Sequence, residues 1–432
     1  MVPDILTVSL ILFGGLALLI FLRVPIGIAL GLAGVFTLLY TKGSFMAMAQ
    51  TYYDSVDSFP LVAIPLFFLA GSIMEIGGIS KRLVNVAEAM IGQIRGGLGM
   101  VTILSSMFFS AISGSGPATT AAVGGVMIPA MRRRNYDRNL AAAIAATGGT
   151  MGVLIPPSIL LILFGVSADE SITKLFIAAM LPGLVIGFSL MGAVYVVCRT
   201  KRIQTVEEKF TFRRLLISLW EGKLSILAPV IILGGIYTGV FTPTESAVVA
   251  VIYGWVVATF VYRELSLSDT LKAIDFTVNV TGKLGIIWAV SKAYGEVMTL
   301  YQIPVVLSQY ILDFTRDPFL ILVLISLFLT FVGMWMNSIA QVIIFTPIFL
   351  PVIEAVGISP IHFAIIFVVN AEVGFLTPPL GTNLFVSMEI AETTLGAVAK
   401  GVIPLLAVLF LMILIIILFP QVSLYLPGLL GR

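Results

Sequence analysis

Residues 370–383 read N-A-E-V-G-F-L-T-P-P-L-G-T-N, inside a run otherwise apolar enough to cross a membrane. A glycine, a double proline and several polar side chains interrupt what would be an ordinary spanning helix. In hydrocarbon every freed backbone group must find another partner, so such a break survives only where it lines a polar cavity or is covered by protein. The stretch is therefore a candidate binding site. A second break lies upstream at 147–158, T-G-G-T-M-G-V-L-I-P-P-S, and Gly374 minus Gly152, Pro378 minus Pro156 and Pro379 minus Pro157 are each 222. Two broken helices at one fixed offset point to a duplicated transporter core.

Composition agrees with a membrane setting. Only 11% of the 432 residues are charged, against about 25% in soluble chains. The formal net charge of +2 gives no ground for nucleic-acid binding. A lone cysteine, Cys198, excludes an intrachain disulfide and a multi-cysteine metal site, and a lone histidine, His362, argues against a His-rich zinc or haem site. The run 5–22 follows Asp4 rather than basic residues and has no small-residue cleavage pattern after it, so it is expected to be the first span rather than a signal peptide.

Apolar runs long enough to span about 30 Å of hydrocarbon fall at 5–22, 24–41, 60–77, 172–198, 224–241, 244–262, 284–300 and 401–420. The segments 52–59, 81–93, 210–222 and 267–276 mix charge with apolar residues, as interfacial helices or connectors do. Basic residues cluster at Lys81, Arg82 and Arg95, at Arg132, Arg133, Arg134 and Arg138, and at Arg199, Lys201, Arg202, Lys209, Arg213 and Arg214. The positive-inside bias makes these loops cytoplasmic, and the last cluster is expected to meet anionic membrane lipid. The first two clusters flank one apolar stretch, 96–131, interrupted at Ser113-Gly-Ser-Gly-Pro-Ala-Thr-Thr120. With both flanks inside, this stretch is expected to enter from the cytoplasm and turn back at that tip.

The same offset places Ser115 on Asn337, Pro129 on Pro351 and Pro182 on Pro404. A second hairpin is thus expected over 318–353, with its tip at Trp335-Met-Asn-Ser-Ile-Ala340. Its flanks lack the basic cluster: Arg132 to Arg134 correspond to Glu354, Ala355 and Val356. Similar segments with reversed charge flanks are the signature of an inverted repeat. The expected fold is an all-α polytopic membrane protein with an inverted-topology repeat, two re-entrant helical hairpins and two broken transmembrane helices. Counting crossings puts both chain ends on the periplasmic side of a Gram-negative inner membrane. Before about residue 90 the halves show no match.

The four interruptions bring hydroxyls at Ser113, Ser115, Thr119, Thr150, Ser338, Thr377 and Thr382, amides at Asn337, Asn370 and Asn383, and the carboxylate of Glu372. Unwound carbonyls and hydroxyls suit sodium, while helix N-termini suit a carboxylate. For a single Ser or Thr, satisfaction by its own helix is an equal reading. Lys292 and Glu296, four apart on one helix, are expected to form a structural ion pair. Glu245 and Lys283 are expected to pair, snorkel or line a cavity, and His362 to lie at the membrane interface.

The stretches S-G-S-G-P-A-T-T-A-A-V-G-G-V-M-I-P-A-M, G-V-L-I-P-P-S, G-V-F-T-P-T-E-S-A and V-V-N-A-E-V-G-F-L-T-P-P-L-G-T-N-L-F resemble the large membrane subunit of tripartite ATP-independent periplasmic (TRAP) transporters. The resemblance covers essentially the whole chain. It implies a sodium-coupled importer of a small organic acid (a carboxylate, C4-dicarboxylate or sugar acid), with sodium as coupling ion and no organic cofactor. The implied partners are a periplasmic substrate-binding protein and a small membrane subunit, in an inner-membrane complex of one large and one small chain. It further implies an elevator mechanism, with scaffold helices at 1–95 and 199–317 and a transport core at 96–198 and 318–420. Within that core lie the hairpins 96–131 and 318–353, the broken helices 139–167 and 360–390, and the last span, 401–420. The first implied sodium site joins Ser113, Ser115 and Gly116 to Gly149, Thr150 and Gly152. The second joins Asn337, Ser338 and Ala340 to Gly374, Thr377 and Pro378. Substrate is implied between the tips, with Thr119, Asn370 and Asn383 as contacts. Asn337 departs from the family pattern, which often has an acidic residue there.

Three other readings compete. A two-component sodium/dicarboxylate or citrate carrier would need no binding protein. An intramembrane serine hydrolase would require Ser115 within reach of His362. A passive channel would share the hairpins without stoichiometric sodium.

Overall fold

A computed structural model describes residues 4–203 and 210–430. Lys209 of the basic cluster lies outside the described residues. The first helices are α1 (Ile5–Phe21), α2 (Ile26–Thr41), α3 (Phe45–Val56), α4 (Phe59–Ile76) and α5 (Ile79–Ile91). Arg23 at φ 62° breaks the chain between α1 and α2, and Gly78 at φ 77° lets it turn between α4 and α5. Positive φ costs little at a glycine, which has no Cβ to collide with its own carbonyl.

Next comes a hairpin, α6 (Gly97–Ser113) and α7 (Gly116–Arg133), separated by Gly114 at φ 63° and Ser115. A broken helix follows: α8 (Arg138–Leu154), then α9 (Ile159–Ala168), bent by 40°. Asp137 caps α8 by accepting from the Asn139 and Leu140 amides, both at 3.0 Å, and Ser158 restarts the chain by capping α9 through the Leu161 amide. α10 (Ile172–Thr200) then provides a long apolar span.

The middle of the chain holds α11 (Phe212–Glu221), α12 (Lys223–Tyr237), α13 (Pro243–Val261), α14 (Leu267–Leu300) and α15 (Ile303–Phe314). α11 is amphipathic, packs on α5 and is tied to it by Arg214 and Glu88 at 3.4 Å. α14 corrects one expectation: 267–276 is no separate connector but the opening turns of a continuous 34-residue helix. At 1.5 Å per residue that is roughly 51 Å, so its charged first turns extend past the apolar part. The expected Lys292–Glu296 ion pair is absent among the described residues; the Lys292 ammonium lies 5.3 Å from the Trp288 ring centroid. Glu245 closes a capping box with Thr242 at the start of α13, which accounts for it structurally.

The last part repeats the hairpin and broken helix as α16 (Pro318–Gly333), α17 (Ser338–Ala355), α18 (Pro360–Phe375) and α19 (Thr382–Ala391), followed by α20 (Leu395–Leu418) and α21 (Gln421–Leu430). From α6 to α10, each helix starts 221 to 223 residues before its counterpart from α16 to α20, and α7 and α17 are both 18 residues long. In both breaks the bond between the two prolines is cis. The halves interlock: α9 packs on α17, and α19 packs on α7 and α8. His362, in the first turn of α18, is 2% exposed, and its Nδ1 shares a 2.6 Å hydrogen bond with Ser423 on α21, the helix that covers it.

Six described helices are long and apolar enough to cross a membrane, or up to eight if each bent pair counts as one. α17 is among the six, so its re-entrant reading rests on its flanks and not on length. α16 and α18 meet where Gly333 faces Gly374: a Cβ added at Gly374 would come within 2.7 Å of the Gly333 Cα. Overpacking of this kind typically costs about 1–3 kcal/mol. Gly374→Val is therefore expected to lower the thermal midpoint of the detergent-purified chain, and an unchanged midpoint would contradict this close approach.

Candidate functional site

Each hairpin tip is fastened to the break of its own half. In the first half the Ile159 amide donates to the Gly114 carbonyl at 3.3 Å; in the second the Leu380 amide donates to the Met334 carbonyl at 3.0 Å. Ser110, on the incoming limb, donates to the carbonyl of Ile155, which has lost the Ile159 amide to Gly114, and to that of Met151, which also accepts the Ile155 amide. Gly149 and Gly152 allow the approach. A Cβ on Gly149 would sit 2.9 Å from the Gly116 carbonyl oxygen, and one on Gly152 would run into the Ser115 carbonyl.

Of the first implied cluster, Gly116 on the tip faces Gly149 and Ser115 faces Gly152 on α8, while Ser113 is bound within the tip to Ser115. Ser113 also shares a 2.9 Å hydrogen bond with Thr119. Thr150 is on the same helix, but its hydroxyl donates to the Thr147 carbonyl at 2.7 Å. In the second cluster Ser338 donates to the Ala371 carbonyl at 3.4 Å, Gln341 donates to the Met336 carbonyl at 3.1 Å, and Gly374 abuts Gly333. Ala340 is buried beside them in sequence. The Thr377 hydroxyl donates to Val373 of its own helix at 2.8 Å. The two breaks differ in cover, because 155–158 is buried while Thr377 and Pro378 are half-buried and Pro379 and Leu380 exposed.

The tips converge on one cavity of about 390 Å³. Ser115, Gly116 and Ala118 line it from the first half and Asn337, Ser338 and Glu372 from the second, with Phe276, Val280 and Leu284 of α14 as an apolar wall. α7 and α17 both begin there. The start of a helix carries the positive end of its dipole, so two such starts favour an anion between them. At α17 the Ile339 amide is already capped by Asn337 Oδ1 at 2.9 Å.

The three residues implied as substrate contacts divide. None of the three is among the residues lining the cavity, and they differ in what holds them. Thr119 is held by Ser113, and the Asn370 amide is occupied by Thr330, Ser326 and the Ile366 carbonyl at 3.0, 3.2 and 2.7 Å. Asn383 stands beside the cavity wall against Gly116. Sequence reasoning missed Gln341, Gly333 and Ser110 in the tip–break contacts. The 222-residue offset pairs Gln341 with Thr119, which is a signal for the first of them. The hydrolase reading fails on geometry, since His362 bonds Ser423 and the Ser115 tip belongs to the cavity.

The family described as "Tripartite ATP-independent periplasmic transporter, DctM component" matches residues 13–422. The C4-dicarboxylate TRAP transporter large permease protein DctM of Pseudomonas aeruginosa is 40% identical over 404 residues, covering 93% of this chain and 94% of that protein. The isethionate TRAP transporter permease protein DctMQ of Oleidesulfovibrio alaskensis is 40% identical over 420 residues, or 97% of this chain, which spans only 66% of that longer protein. Among solved structures, that of MtrF from Neisseria gonorrhoeae, described as one of a class of antimetabolite efflux pumps, aligns with a TM-score of 0.62 at 14% identity. It covers 88% of this chain and 85% of MtrF, a likeness of fold alone. The chain therefore belongs to the DctM component family of tripartite ATP-independent periplasmic transporters, as a membrane permease and not an enzyme.

Proposed function

We propose that this permease imports a small organic acid anion across the bacterial inner membrane together with sodium, by moving its two hairpins and broken helices as an elevator against the remaining helices. The observation that carries this reading is the cavity between the two tips, bounded on one side by helix starts and on another by α14. Relatives named for isethionate and C4-dicarboxylate support a small organic anion as cargo. A periplasmic binding protein would deliver it. The name DctMQ and the greater length of that relative support a small membrane partner.

Opposed orientation of the halves is part of the proposal. Arg138, at the cytoplasmic flank of the first hairpin, donates to the Glu392 carbonyl at 3.4 Å, and Thr393 donates to Asn139. The α18–α19 pair thus runs from the flank of the second hairpin to the flank of the first. If that pair crosses the bilayer, the hairpins open to opposite faces. The crossings of α8–α9, α10, α12, α13 and α14 lie between the hairpins and agree with this count, while the 12-residue α15 is too short to add another.

Sodium is proposed at the two tip–break clusters, Ser113, Ser115, Gly116, Gly149, Thr150 and Gly152 in one and Asn337, Ser338, Ala340, Gly374, Thr377 and Pro378 in the other. Thr119 and Asn370 would then brace the clusters, leaving Asn383 as the contact nearest the cargo. In proteoliposomes supplied with the partner subunits, uptake is expected to follow an imposed sodium gradient and to stop when the binding protein is withheld. Uptake that ignores a collapsed gradient would contradict the coupling, and uptake without the binding protein would favour a two-component carrier. Ser115→Ala and Thr377→Ala should each raise the sodium concentration for half-maximal uptake about 2- to 10-fold, the equivalent of one neutral ligand. Unchanged sodium dependence in both variants would remove these assignments.

A further inference from the structure

Glu372 is the one charged residue among those lining the central cavity, and it is 1% exposed. Its carboxylate lies beside the Asn383 side chain, and neither oxygen makes a hydrogen bond of ordinary length and angle. Asn383, wholly buried, likewise has both amide atoms without a partner. The two side chains converge on Gly116 of the other half. A Cβ added there would lie 2.9 Å from Glu372 Oε2, 3.2 Å from Asn383 Oδ1 and 3.3 Å from Asn383 Nδ2. Gly116 is thus the residue that leaves this corner open.

A buried carboxylate without a counter-charge is costly, several kcal/mol or more in order of magnitude, and an intramembrane carboxylate marks a functional site by default. No cation of the protein supplies the counter-charge among the described ion pairs. The problem is sharper here, because the cavity is proposed to receive an anion. An anionic cargo beside an ionised Glu372 is repelled unless something positive enters first.

We propose that Glu372 and Asn383 hold a monovalent cation, sodium, at a third site against Gly116, and that this ion neutralises the cavity for the organic anion. The site rests on the transport reading above but differs from both tip–break clusters. Its ligands come from the second broken helix, and it faces the tip of the first hairpin. A proton could also neutralise Glu372, because a carboxylic acid and the Asn383 amide can exchange O–H···Oδ1 and Nδ2–H···O bonds. Sodium instead gathers the carboxylate oxygens and Asn383 Oδ1 around one charge, and a measurement of sodium binding separates the two. Since the ligands and the glycine come from different halves, occupancy also ties the halves together while the cargo is in place.

The test is equilibrium binding of radioactive sodium to the full-length chain in detergent, without cargo, for the wild type, Glu372→Gln and Asn383→Leu. Each variant is first checked for a monodisperse elution profile. The expected result is one fewer sodium bound per chain in Glu372→Gln, with Asn383→Leu losing the same ion or binding it more than tenfold more weakly. If either variant does not fold, the other carries the measurement. Sodium counts equal to the wild type in the folded variants would overturn the third site and leave the two-cluster reading intact. Equal counts with a pH dependence of uptake that vanishes in Glu372→Gln would overturn it in favour of a proton. A wild type that binds no sodium would overturn the coupling reading itself, and this site with it.

Discussion

Backbone that leaves helical geometry inside hydrocarbon has to be satisfied by protein, and the architecture around both double prolines follows from that demand. Ser110 supplies hydroxyl bonds to the carbonyls of Met151 and Ile155, and a tip carbonyl accepts an amide at each break. Such contacts are possible only if the tip comes very close. Close approach in turn explains Gly149 and Gly152 in one half and Gly333 and Gly374 in the other, where a single methyl group would strike backbone. The hairpin is therefore the cover of the break, and neither element is stable in lipid without the other.

From this pairing the functional layout follows. A tip pressed against a break brings carbonyls, hydroxyls and glycine together, as a sodium site needs, and leaves the start of the returning helix pointing away into the shared cavity. Two copies then present two helix starts to one space. An anion fits there electrostatically, and Glu372 is the exception that calls for a compensating positive charge. In the proposed mechanism cations therefore order the tips and set the potential in which the cargo binds, so that coupling is electrostatic as well as steric.

Much of this was legible in the chain because breaks in membrane helices use few residue types. The double prolines, the 222-residue offset and the flanking charges located both hairpins and both broken helices to within a few residues of α6 to α9 and α16 to α19. Charge content misled at 267–276, where polar side chains at the membrane edge are compatible with an uninterrupted helix and so carry no boundary signal. The burial of His362 carried no signal, because its cover, α21, follows the last span and hydropathy alone does not distinguish the two. The corner formed by Gly116, Glu372 and Asn383 was invisible for a different reason. Its members are separated by more than 250 residues at the widest, and only folding of one half onto the other brings them together.

The central claim is that the two halves are antiparallel copies meeting tip to tip. It can be tested in a cysteine-free chain made by Cys198→Ser, with single cysteines placed at Arg133 and at Glu354, which end the two hairpins within one position of each other in the 222-residue register. In sealed oriented membranes a charged maleimide added from outside is expected to label Glu354→Cys and to spare Arg133→Cys until the membrane is opened. Labelling of both positions from the same face would contradict the antiparallel arrangement and everything built on it.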